Sequence, residues 1–234
     1  MIQTRTETIA LTNDTRLRLT VAEPDNVVRG GVVVLHEARG VTDYTRVLVA
    51  ALADEGWLTV APHLYHRDGT DELPTEETPH RVAEQVSRLS GESVLADTDA
   101  AFVWLADRGV SSDRQGIIGF DIGGTAALMV ASSRRLGAAV TVGGDGIVTP
   151  LAEGFSPLVD IVGELSCPWL GLYGEQDGRT PAAELDKLRA AATAAESVTD
   201  VVRYPNADHR FDTDPEAAAE AWQRARNWLD LHLR

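Results

Sequence analysis

Cysteine is all but missing from this chain: among 234 residues only Cys167 carries a thiol. A single cysteine excludes an internal disulfide and fits a reducing, cytoplasmic setting. In its apolar stretch it reads as a small packing residue. Basic residues are scarce too. Against 36 aspartates and glutamates stand 21 lysines and arginines, a formal charge of −15. That sign disfavours nucleic acid and anionic membrane as partners, because neither phosphate backbone would be neutralised. No apolar run is long enough to span a bilayer, and the opening MIQTRTETIALTN has no apolar core of the kind a signal peptide carries. The six histidines show no metal-ligand spacing, so no metal and no other cofactor is expected. Repeats, linkers and low-complexity tracts are also missing, and residues 1–234 read as one domain with room for a large core. The expected partner is a small molecule, and the expected state a monomer or homodimer.

Periodicity supplies the elements. Residues 3–10 and 15–22 alternate apolar and polar, as two strands around a turn at Thr12-Asn13-Asp14. Further strands are expected at 30–36, 57–62, 137–144, 167–174 and 199–205, with a strand, turn and helix over 115–135. Helices are expected at 42–55, at 79–108 with a break near Ser90-Gly91, at 181–195, and at 215–232, where Asp214 is the N-cap and Pro215 the first helical residue. Residues 66–79 read as a long loop and 145–165 as irregular. Strands alternating with helices imply an α/β class: a mostly parallel, eight-stranded sheet with helices on both faces. No insertion is large enough for a cap domain.

The stretch GIIGFDIGGTAALMV, residues 116–130, carries the sharpest signal. A GFDIGGT string can be a phosphate loop between two hairpin strands, as in sugar-kinase and actin-like folds. It can also be the strand-to-helix elbow of an α/β-hydrolase, where glycines allow the central side chain to rise above the sheet. The residues after Thr125 are apolar all round without alternation, which suits a buried helix, and the motif sits mid-chain. The elbow is the reading that fits. An aspartate in a turn is ordinarily a helix cap, so Asp121 gains meaning only from what else ends the strands.

In parallel sheets chemistry gathers at the carboxyl ends of the strands. Those ends read HEARG (36–40), PHLYHR (62–67), GEQDG (174–178) and NADHRF (206–211). Nucleophile Asp121, acid Asp177 and His209 follow one another in the chain order of an α/β-hydrolase triad. The five motifs together resemble the dienelactone hydrolase family across nearly the whole chain. The resemblance implies an α/β-hydrolase fold, with Glu37 in the family's first glutamate motif, Tyr65 and the carboxylate-binding Arg67 in its P-D-L-Y motif, Asp121 at its elbow, and Asp177 and His209 completing the site. It also implies an oxyanion hole from the backbone N–H groups of Ile122 and Ala38. Two departures stand out. Asp121 occupies the place of the family's cysteine, and a second substrate-binding arginine beyond the histidine has no counterpart, Thr213 standing there.

A carboxylate attacking an ester carbonyl would form a reactive anhydride. Attack on saturated carbon instead leaves an ordinary alkyl ester on Asp121, which water activated by His209 and Asp177 can hydrolyse. Hence the expected activity is a hydrolase opening an epoxide, a halide or a strained lactone on a small molecule, one that can carry a carboxylate for Arg67. The elbow is also similar to those of epoxide hydrolases and haloalkane dehalogenases. Ile122 differs from the halide-gripping tryptophan of the latter, and no cap carries the two tyrosines of the former, so Tyr65 or a protonated Glu37 would donate to an epoxide oxygen. Two carboxylates in one pocket should split their pKa values, with Asp121 the nucleophile and Glu37 the acid. Plainer roles exist: Glu37 as a salt-bridge partner of Arg67 or Arg39, and His209 as a loop residue. Two other activities remain open, an ester or lactone hydrolase in which Asp121 or His209 is a general base on water, and a non-hydrolytic biosynthetic descendant that binds a carboxylated molecule.

Overall fold

Apolar runs without alternation become the buried centre of the sheet. The structure, a computed structural model, describes residues 2–11, 15–211 and 213–233; the expected turn at Thr12-Asn13-Asp14 lies outside them. Strands β3 (Gly30–Leu35), β4 (Trp57–Pro62), β5 (Gln115–Phe120), β6 (Ala138–Val142) and β7 (Trp169–Gly174) are buried almost throughout. The edges are β1 (Arg5–Ala10), exposed on alternate residues, and β8 (Thr199–Tyr204). With β2 (Arg16–Ala22), the order is β1-β2-β4-β3-β5-β6-β7-β8, and only β2 runs against its neighbours. This is the eight-stranded, mostly parallel sheet expected of an α/β-hydrolase.

Period-two alternation divides the core. Val33 and Leu35 of β3 pack with Phe102 and Leu105 of α3 (Gly91–Ala106) and with Ala126 and Val130 of α4 (Ile122–Ser133). Val32 and Val34 face the other way, with Val49 and Leu52 of α1 (Asp43–Asp54) and Ala221 and Leu229 of α7 (Pro215–His232). Both faces are therefore covered, which is why the central strands read as continuous hydrophobic runs. The remaining helices are α2 (Pro79–Val86), α5 (Leu158–Ile161) and α6 (Ala182–Ala192). None of the helices is long and apolar enough to cross a membrane, among the described residues.

Local signals account for the helix ends. Ser90 caps α3 through a reciprocal capping box with Ser93, and the break between α2 and α3 falls there. Asp214 accepts the Ala217 N–H at 3.0 Å, with Pro215 at the first helical position. The segment read as irregular contains α5 and a 3₁₀ turn at 162–164, and the loop after β4 contains another at 66–68. Such turns are too short to display a helical period.

The elbow between β5 and α4 is where backbone packing is tightest. A Cβ on Gly123 would lie 2.5 Å from the carbonyl oxygens of Leu35 and His36, at the end of β3. A Cβ on Gly119 would collide with the Gly123 carbonyl oxygen. Only hydrogen at both positions lets α4 start directly over the strand ends. Gly123→Ala is expected to cost about 3 kcal/mol or to prevent folding, because backbone rather than flexible side chain must yield. Gly178, which has open space around its would-be Cβ, is the control: Gly178→Ala should leave the melting temperature nearly unchanged.

Candidate active site

Asp121 is held in a conformation that ordinary residues avoid, φ 57° and ψ −123°. Strain of this kind costs about 1–3 kcal/mol and persists only where surrounding structure imposes it. The glycine contacts above are that imposition. Although Asp121 immediately precedes α4, its side chain makes no capping hydrogen bond. It projects away from the helix and meets other groups.

Its two oxygens have different neighbours. Oδ2 accepts the Ala38 N–H at 3.0 Å, and Oδ1 lies 3.0 Å from His209 Nε2 and 3.1 Å from Arg179 Nη1. The other imidazole nitrogen, Nδ1, is 2.7 Å from Asp177 Oδ2. Asp177 is itself oriented by the Thr180 hydroxyl at 3.1 Å and the Arg179 backbone N–H at 2.9 Å. Asp121, His209 and Asp177 thus form one continuous chain of polar contacts. Ile122 is the first residue of α4, so its N–H has no intrahelical acceptor. It lies beside Asp121 in the chain, and Ala38 N–H already touches the carboxylate.

Two carboxylates flank one imidazole, which decides its protons. A neutral ring has a single N–H and can donate to only one of them. Burial pushes the Asp121 carboxyl above its ordinary range, while Arg179, the Ala38 N–H and Arg210 pull it down. An Asp121 carboxylate facing an imidazolium meets these contacts, as does a protonated Asp121 donating to the neutral ring; Arg179 and the Ala38 N–H favour the first.

The loop bearing Ala38 is tied from beneath. Buried His36 accepts the Leu64 N–H on Nε2, so its Nδ1–H donates to the Glu37 carbonyl at 2.8 Å. Burial lowers its pKa to about 4, which keeps the ring neutral in that role. The Tyr65 hydroxyl donates to the Ala38 carbonyl at 2.8 Å.

Above Asp121 opens a cleft of about 470 Å³ between α1 and α7, with Tyr44, Leu48, Phe120 and Trp222 among its walls and Glu37, His209 and Arg210 at its polar end. Of the residues singled out in the sequence, Glu37, Asp121 and His209 line this space, and Asp177 stands behind the histidine. Arg67 and Tyr65 do not line it, which corrects the expectation that both converge there as substrate-binding groups. Arg67 is the middle residue of a short turn at 66–68 that aims it at α3, where it grips the buried Asp97 bidentately at 2.6 and 2.8 Å. Tyr65 spends its hydroxyl on Ala38. Glu37 pairs with neither Arg67 nor Arg39 but faces Arg210 at 3.4 Å, whereas Arg39 bonds the carbonyls of Pro74 and Glu77. Arg179 went unnoticed in the sequence, although it follows Asp177 by two residues; nothing in the motif marks which way a loop arginine turns.

The sequence profile of the Dienelactone hydrolase family matches residues 17–233. The chain belongs to that family. It is 34% identical over 205 residues to a Salmonella typhimurium protein named "Putative carboxymethylenebutenolidase", covering 85% of this chain and 76% of that one. A Bradyrhizobium protein, "Probable 2-oxo-3-(5-oxofuran-2-ylidene)propanoate lactonase", is 28% identical, with 97% of each chain covered. Among solved structures, a "Putative Dienelactone Hydrolase" from Klebsiella pneumoniae superposes with a TM-score of 0.88 at 33% identity, covering 98% of this chain and 99% of that one. Membership of this family makes the chain a hydrolase, and it carries aspartate at the elbow position.

Arg67 is a stability residue in this geometry. Arg67→Gln should lower stability by about 3 kcal/mol, because it strips the main cation from a carboxylate buried in α3. Thermal or denaturant melting checks this, and the Michaelis constant for carboxylated substrates should not change.

Proposed function

We propose that this dienelactone hydrolase family member opens a small strained oxygen ring, a lactone or an epoxide, by attack of Asp121 on saturated carbon. The observation that carries the reading is the split of the Asp121 carboxylate, with Oδ2 on the Ala38 N–H and Oδ1 beside His209 and Arg179. Oδ1 forms a bond to ring carbon while that carbon's bond to the ring oxygen breaks. An epoxide oxygen takes the Nε2 proton of His209; a lactone oxygen leaves as a carboxylate and needs none. Esterified Asp121 has no charge, so the imidazolium loses the anion that favoured it; in the lactone case its Nε2 proton passes to the released carboxylate and from there to solvent. His209 then serves as base with Asp177 fixing the ring.

Water deprotonated at Nε2 attacks Cγ of Asp121. Negative charge collects on Oδ2, already on the Ala38 N–H, with the Ile122 N–H as second donor. Collapse breaks the bond between Cγ and Oδ1, releasing the alcohol with the His209 proton and leaving the water oxygen in Asp121. Rings are favoured over halides because Ile122 beside the nucleophile offers no side-chain donor to a halide. Glu37 faces Arg210 as an ion-pair partner, so the proton comes from His209 rather than from Glu37.

A second reading has its own support: the relatives' names refer to lactone hydrolysis, and water directed at a lactone carbonyl by His209 and Asp121 would accomplish that without an ester intermediate. Oxygen labelling separates the two. In a single turnover in heavy-oxygen water the label should enter Asp121 and be absent from the first product. Label in the first product with Asp121 unlabelled would favour direct water attack. His209→Gln should lower multiple turnover by roughly 10³-fold or more and, with a lactone, whose leaving carboxylate needs no proton, accumulate an adduct visible by intact mass.

The pH profile gives an independent check. Asp121 must be ionised, so activity is lost as pH falls through its pKa. Arg179 lowers that pKa, and Arg179→Gln should therefore move the acidic limb to higher pH, with Arg179→Lys shifting it less.

A further inference from the structure

We infer that the substrate carries an uncharged alkyl or aryl group, which lies between α1 and α7 against Trp222 and Phe120, and that the site selects against a carboxylate on that group. The inference rests on the cleft above Asp121 being the substrate site, and it names the class of molecule that site takes.

The argument begins with α7. Its residues Ala218, Ala221, Trp222 and Ala225, spaced as one helical stripe, face the cleft. Three of the four are alanine, so the helix approaches α1 without filling the gap. From α1 come Val47, Leu48 and Ala51. The aromatic wall is fixed by packing, for Tyr44 stands edge-on to Phe120 at 6.1 Å between ring centroids. A space of about 470 Å³ results, within the range that encloses small organic ligands. Its walls offer apolar surface along both helices, and its polar groups gather at the end where Asp121 and His209 stand.

Charge then restricts the occupant. Arg210 is the only arginine or lysine lining the cleft among the described residues, and it faces Glu37. Arg179 is committed to Asp121, and Arg67 to Asp97 beside α3. A carboxylated tail between α1 and α7 would leave water for a surface without a dedicated cation, and would approach the carboxylates of Glu37 and Asp121. An alkyl or aryl tail loses only apolar hydration. The family's arginine pair for a substrate carboxylate has no equivalent in this cleft, so the preference is for a neutral ring bearing an apolar tail.

Binding of unreactive rings tests this apart from catalysis. Calorimetric titration of the wild-type protein with 2-alkyltetrahydrofurans of increasing chain length should lower Kd by about three- to fourfold per methylene until the cleft is filled. Counterparts ending in a carboxylate should bind at least tenfold more weakly. Ala218→Trp, which fills the cleft from its half-buried wall, should abolish alkyl binding with the melting temperature retained. Trp222→Ala, which removes bulk and cannot overpack, should weaken it as a second line of evidence. Equal or tighter binding of the carboxylates, a flat dependence on chain length, no binding of either series, or unchanged binding in both variants would each overturn the inference. Tight alkyl binding with no turnover of any epoxide or lactone would sink the proposed reaction and leave this inference standing. Turnover that labels Asp121 but prefers carboxylated rings would do the reverse.

Discussion

The close approach of α4 to the ends of β3 and β5 is the constraint on which the rest of the site depends. Gly119 and Gly123 touch with no room for a Cβ on either, and Gly123 also abuts the carbonyls of Leu35 and His36. The helix can start only if the residue between strand and helix takes φ 57°. That turn rotates the Asp121 side chain out of the capping position and toward the β3 loop, where the Ala38 N–H meets it. A residue that would ordinarily satisfy a helix end is thereby made available for chemistry. The strain is sustained by the glycine contacts, which a large core on both sheet faces holds in place.

Much of this was legible in the sequence because the informative residues sit at fixed places. The buried strands are uninterrupted apolar runs, the elbow requires glycine at set positions, and Asp177 and His209 follow the last two strands directly. Short spacings from a strand end leave little freedom in where a side chain can go. The arginines show the opposite case. Arg67 matches a motif position, but the turn at 66–68 swings it to the face of α3. Its destination was determined by Asp97, a carboxylate buried in a helix that requires a partner from another segment. Arg179 and Arg210 likewise take their partners across loops, and an ion pair between loops leaves no periodic trace in a sequence. Long, flexible cations are the residues least constrained by local pattern and most by where an uncompensated anion lies.

Electrostatics ties the elbow to the histidine. A cysteine at this position would present a thiol with a proton of its own, and the imidazole could begin neutral and remove it. A carboxylate reverses the starting state. In the form that donates to both Asp177 and Asp121 the ring is an imidazolium, and a cation is no base. Direct activation of water by His209 in the resting site would require removing a proton that two anions hold. In the proposed reaction, conversion of Asp121 to a neutral ester removes one of those anions at the moment a base is needed. Charge thus supports the proposed order, ester first and water second, over direct attack by water.

The same charge arrangement explains why an acidic protein can place four carboxylates near one cleft. Asp121 is matched by Arg179 and the imidazolium, Asp177 by the imidazolium and the 179–180 turn, and Glu37 by Arg210. Asp145, whose carboxyl burial holds above its ordinary range, keeps the Gly146 N–H. Each anion is met by a group from the loops after β7 and β8 or by backbone. Helices α1 and α7 present apolar side chains to the cleft. On the proposed reading, catalytic charge gathers at the strand ends and selectivity on the helices. Exchanging side chains along α1 and α7 can accordingly alter which molecule enters without disturbing the geometry that the glycines impose on Asp121.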